Sequence, residues 1–182
     1  MSITPRCILA AAALALCSAV ASAQKTPTTP RAYGFGTPVS TSELEQFVSP
    51  HPDGRGLPKG SGTVAQGEKV YAEQCVACHG VNLEGGIGDR LVGGRGSLPA
   101  SSGSAHVKTV ESYWPYATTI FDYVKRAMPF TTPNSMSNDD VYAVTAYILH
   151  KANIVGADAV MNQDTLPKVA MPNRKGFEPA GR

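Results

Sequence analysis

Cys75-Val76-Ala77-Cys78-His79 is the stretch on which the reading of this chain turns. Two cysteines three positions apart, with a histidine directly after them, admit three chemistries: a redox dithiol, half of a metal site, or attachment of a haem. A thioredoxin-like dithiol wants a strand before the motif and a βαβ setting. Here Val64, Gly67, Tyr71 and Cys75 recur at helical spacing instead. A zinc site needs further cysteines or well-spaced histidines. Haem attachment needs only the five residues present. Each thiol can form a thioether to a vinyl group, the two intervening residues set both sulfurs along one edge of the ring, and the adjoining histidine reaches the iron. The expected cofactor is one covalent haem c, held by Cys75, Cys78 and His79.

The other two of the four cysteines, Cys7 and Cys17, fall in a segment that reads as a signal. Arg6 is its positive region, Cys7 to Val20 its apolar run, and Ala21-Ser22-Ala23 its small-x-small cleavage site. That run is too short to cross a bilayer as a stable helix. A lipoprotein reading would use Cys17, but Leu16 before it is bulky where a small residue is wanted. With residues 1–23 removed, the exported chain keeps Cys75 and Cys78 and has no long-range disulfide framework. The periplasm is the expected location. The formal charge of +2 on 182 residues argues against nucleic acid as a partner, and the length suits one domain. No later segment is apolar for long enough to span a membrane.

The fold class read from the pattern is all-α, with helices packed around the haem. Residues 24–62 are rich in Pro, Gly, Ser and Thr and read as an extended arm, with a short helix capped by Ser42 and Glu45. Tyr33, Phe35, Leu44, Phe47 and Leu57 give the arm something to bury. A domain over residues 63–152 follows. Thr63 and Gln66 fit a capping box, and Gly67 marks a place where another helix crosses closely. The glycine-rich stretch 80–96 lacks the ending of a phosphate loop and lets backbone approach a large flat ligand. A second helix is expected over 115–127, with Ala117, Ile120, Phe121 and Val124 as its apolar stripe. A third starts at the N-cap Ser137, turns Val141, Val144, Thr145 and Ile148 inward, and stops near Asn153. Residues 153–182 read as an irregular tail along the surface or trailing from it.

An electron carrier needs a second axial ligand on the iron, and methionine sulfur favours the reduced state. Met128 lies 49 residues beyond His79, between two helices and before a proline. Met136 competes, but with Val141 it fits a hydrophobic staple. Met171 also precedes a proline, in the tail, and Met161 has a polar surround. His51, His106 and His150 read as surface residues. Met128 is the expected ligand. Trp114, Tyr116, Arg90 and Arg95 are candidates to hydrogen-bond the propionates, against ordinary roles as core filler and solvated loop charges.

The order helix, CxxCH, glycine loop, helix, Met-Pro loop and final helix resembles class I cytochrome c over residues 63–152. In that family a glycine and aromatic residues mark the crossing of the first and last helices, matched here by Gly67, Tyr71 and Tyr147. The family often has Gly-Pro-x-Leu after the haem motif, its proline carbonyl bonding the ligating histidine. Here Gly88-Asp89-Arg90-Leu91 stands in that place, so the resemblance implies the same role for the Asp89 carbonyl. Further stretches are similar to the cytochrome subunits that accompany molybdenum-dependent sulfite and sulfur dehydrogenases. They are residues 52–58, 85–91 and 113–119, with Arg126-Ala127-Met128-Pro129-Phe130 and Met171-Pro172-Asn173-Arg174. That resemblance implies Met128 as ligand, a sulfite-oxidase-like partner upstream, a cytochrome or oxidase downstream, and an ordered arm and tail. The opposing expectations are an enzyme acting at an open haem site, such as a peroxidase or sulfur-compound oxidase, and an electron carrier for an unrelated periplasmic dehydrogenase; a haem-based sensor is a further one.

Overall fold

Thr63 caps the helix that leads to Cys75, as the sequence predicts. Its hydroxyl accepts from the Gln66 amide at 3.2 Å, while the Gln66 side chain accepts from the Thr63 amide at 2.9 Å. The box satisfies two donors that a helix start otherwise leaves bare. In the computed structural model, residues 36–46, 49–98 and 106–177 are described. The signal-like segment with Cys7 and Cys17, the arm residues Tyr33, Phe35 and Phe47, and the last five residues lie outside that set. The chain divides into two units after Ser40, the second beginning at Thr41.

That unit is helical. Helix α1 spans Thr41–Gln46, α2 Val64–Gln74, α3 Val76–His79, α4 Ala117–Ala127 and α5 Asn138–Lys151. Strands β1 (Ser61–Thr63) and β2 (Val160–Asn162) pair antiparallel, with Gly62 opposite Met161, and a 3-10 turn covers Leu166–Lys168. Helix α4 starts two residues later than its proline implied, because Tyr116 stays extended as N-cap. Its expected apolar stripe is buried and Thr118 joins it. Ser137 caps α5 by accepting from the Asp140 amide at 3.1 Å. Asn153, two residues past that helix, takes the left-handed conformation that asparagine tolerates.

Helix α5 is the axis of the fold. One inner stripe was expected, yet every residue from Val141 to Leu149 is buried. A helix enclosed on all sides has neighbours all round; here they are α2, α4 and both strands. The closest approach is set by absent side chains. A β-carbon on Gly67 would sit 1.9 Å from the Ala143 carbonyl oxygen, and one on Gly62 2.2 Å from the Ala143 amide nitrogen. Beside the first crossing Tyr71 and Tyr147 pack at a tilt of 42°, ring centroids 5.3 Å apart.

Arm and tail both fold onto this axis. The Tyr142 hydroxyl donates to the Pro58 carbonyl at 2.8 Å, and Asp139 accepts from the Ser61 amide at 2.7 Å. The segment after Asn153 departs from the irregular surface tail expected of it. Met161, Leu166 and Met171 are core residues, at 4%, 0% and 4% exposure. Their spacing has no single period because strand, 3-10 turn and coil each supply one, so pattern reading passes over them. Each such burial contributes about 2 kcal/mol. Farther on, the Asn173 amide donates to the Tyr113 carbonyl at 2.7 Å, and the Arg174 guanidinium lies 4.2 Å from the centre of the Tyr116 ring.

Candidate functional site

Cys75 ends α2, and α3 carries the rest of the motif. The break between these helices keeps the segment tight: the His79 and Cys78 amides donate to the Cys75 carbonyl at 3.0 and 3.1 Å. Cys75 is half-buried and Cys78 exposed, and neither is taken up by a disulfide. Burial, with Cys78 beside it, pushes the Cys75 thiol up to about 11, so it stays protonated at neutral pH. No cluster of three or more His, Cys, Asp or Glu side chains suited to a metal ion occurs among the described residues. The two strands form no βαβ setting, so neither rival chemistry gains a framework.

The His79 ring is oriented by backbone. Its Nδ1 lies 2.7 Å from the Asp89 carbonyl oxygen. A carbonyl only accepts, so Nδ1 carries the proton and Nε2 keeps its lone pair. The proline missing at position 89 is not needed for this contact. The glycine loop makes it possible: the Gly88 amide donates to the Cys78 carbonyl at 2.9 Å, and a β-carbon on Gly88 would come within 2.9 Å of His79 Cε1. One contact lay beyond sequence reading. The Tyr71 hydroxyl donates to the Gly80 carbonyl at 2.7 Å, pinning the chain just after the histidine. Its position marked it as a crossing aromatic; nothing in the pattern showed where its hydroxyl would go.

Met128 closes α4, its amide donating to the Val124 carbonyl at 3.0 Å. Met136, Met161 and Met171 are core residues, whereas Met128 is half-buried. Met161 therefore lacks the polar surround expected of it. His51 and His106 are exposed, and His150 Nδ1 sits 3.2 Å from the Val155 carbonyl. Arg95 is no freely solvated charge: it pairs with Glu111 at 2.9 Å and donates to the Ala152 carbonyl at 2.7 Å. Glu111 also accepts from the Gly93 amide, so one carboxylate knits the loop after the motif. Arg90 reaches the Glu84 carbonyl at 3.3 Å, and Trp114 meets Tyr123 edge-on.

A family model described as cytochrome c oxidase, cbb3-type, subunit III, matches residues 62–148. A chain in the crystal structure of the sulfane dehydrogenase SoxCD from Paracoccus pantotrophus is 40% identical and superposes with a TM-score of 0.73. That likeness covers 81% of this chain and 72% of the other. The chain belongs to the c-type cytochromes. The thiosulfate dehydrogenase of Stutzerimonas stutzeri (strain A1501) is 28% identical over 99 residues, covering 50% of this chain. This cytochrome spans 28% of the length of that curated relative. The fold is that of class I, and the cofactor is covalent haem c. The residues present fit such a group: two cysteines outside any disulfide on one short segment, an imidazole whose Nε2 is left available, and glycines where the loop meets the motif.

Proposed function

We propose that this cytochrome is a periplasmic one-electron carrier that accepts electrons from a sulfite-oxidase-like molybdenum enzyme and hands them to a downstream cytochrome or oxidase. The observation that carries the reading is the His79 Nδ1 contact with the Asp89 carbonyl, which turns Nε2 toward a ligating role. Cys75 and Cys78 would hold the ring through thioethers, with His79 and Met128 as axial ligands. Bound haem supplies an iron that changes charge by one unit. The chain's part is to fix both axial groups so that little moves when that charge changes. His79 is held through Asp89, and Met128 is anchored at its backbone by Val124. The upstream partner is supported by the likeness to the sulfane dehydrogenase chain, which extends beyond the region the family model covers. No helix among the described residues is long and apolar enough to cross a membrane.

The optical spectrum of purified holoprotein tests the carrier reading. A low-spin spectrum with a thioether charge-transfer band is expected, and Met128→Ala should abolish that band; its survival would remove Met128. The relative named thiosulfate dehydrogenase favours a second reading, catalysis at an open haem. A high-spin resting state would favour it. For the partner, rapid mixing with the reduced molybdenum enzyme should reduce the haem on the catalytic timescale, and failure to do so would eliminate that donor.

A further inference from the structure

Between α4 and α5 runs a loop from Met128 to Met136. Residues 130–135 are exposed, and few of the loop's own contacts hold it: Thr132 donates to the Pro129 carbonyl at 2.9 Å and Ser135 to the Thr132 carbonyl at 3.3 Å. Its two ends are gripped by the same turn of α4. At one end the Met128 amide bonds Val124. At the other the Lys125 ammonium donates to the Met136 carbonyl at 2.7 Å. That carbonyl belongs to the residue before the N-cap Ser137, so it lies outside the hydrogen-bond ladder of α5. Lysine near a helix C-terminus commonly does no more than oppose the dipole. Here its ammonium spans 11 residues of sequence to a partly buried acceptor, a charge-assisted bond that closes the loop into a ring.

We propose that Lys125 is a positioning residue for the axial methionine: its bond to the Met136 carbonyl latches the loop shut and so resists departure of Met128 from the iron. The inference rests on Met128 being that ligand. With the latch intact, moving Met128 away must also strain the lysine bond or the buried Met136. With it broken, the burial of Met136 alone holds the far end of the exposed loop.

Imidazole, which binds ferric haem by displacing a weak axial ligand, reads out loop opening in the holoprotein. Lys125→Met keeps the aliphatic stem and removes the donor, and is expected to tighten imidazole binding about tenfold, the worth of one hydrogen bond to a charged group. Lys125→Arg keeps a cationic donor and is expected to restore the parent affinity. Should Lys125→Met fail to accumulate as holoprotein, Lys125→Leu, which also lacks a donor, serves for the same comparison. An affinity within about twofold of the parent, with the thioether band still lost in Met128→Ala, overturns the latch and leaves the ligand in place. Tightening that merely follows a fall in the urea midpoint, without rescue by arginine, also overturns it. A band that survives in Met128→Ala overturns the ligand assignment and the latch together.

Discussion

Single atoms decide several features of this cytochrome. Thr145 is fully buried in α5, and its hydroxyl has no hydrogen-bond partner among the described residues. A buried hydroxyl left unpaired costs free energy that an apolar group of the same shape does not. Thr145→Val should therefore raise stability by about 1 kcal/mol, read as a higher urea midpoint with unchanged slope; a drop would mean the hydroxyl is paired in the folded holoprotein. The stretch Cys75–His79 stands out in the sequence because five adjacent letters carry their own chemistry, and the structure sets them on one short segment. The Asp89 carbonyl was anticipated from a family pattern despite the missing proline. Lys125 and Glu111 were not, since a charged residue in a helix turn or loop gives no sign in sequence of which carbonyl or amide it will meet.

Helices were the most readable level. The capping box at Thr63, the stripe of α4 and the cap of α5 all follow from local rules and appear where those rules put them. The extent of burial on α5 did not follow, because enclosure depends on β1, β2 and the arm, which meet it from far along the chain. Gly67 shows both sides of this. The sequence marks it as an unfavourable helix residue, and the packing explains it as the point where α2 rests on the backbone of α5. Gly67→Ala would place a methyl group into the Ala143 carbonyl, with no flexible side chain to yield. It should cost about 3 kcal/mol despite alanine's better helix propensity, lowering the thermal midpoint of the holoprotein. A neutral or stabilising result would show that the two helices separate easily.

Across the molecule, two buried phenols tie distant parts together. Tyr71 joins α2 to the end of the haem motif, and Tyr142 joins α5 to the arm. Burial pushes both upward, Tyr142 to about 12, with the Asp164 charge adding to it; Tyr71 rises further, by burial first, with Glu84 adding to it. A folded-state value above the unfolded one means the stabilisation is whole below about pH 10 and is lost as pH climbs through the folded values. Unfolding measured from about pH 8 to about pH 11 should show stability falling at the alkaline end. The fall should be shallower in a Tyr71→Phe, Tyr142→Phe double variant; equal slopes would clear the phenols of that role. The tail's share in this architecture was the least legible part, because its three core residues sit in three kinds of structure.

The short sheet has a geometric corollary. Ser61 faces Asn162 across an antiparallel pair, so the strand leading into α2 and the strand that follows α5 run only about 5 Å apart. That seam staples the two flanks of the helical body to each other before the chain runs on to bury Leu166 and Met171.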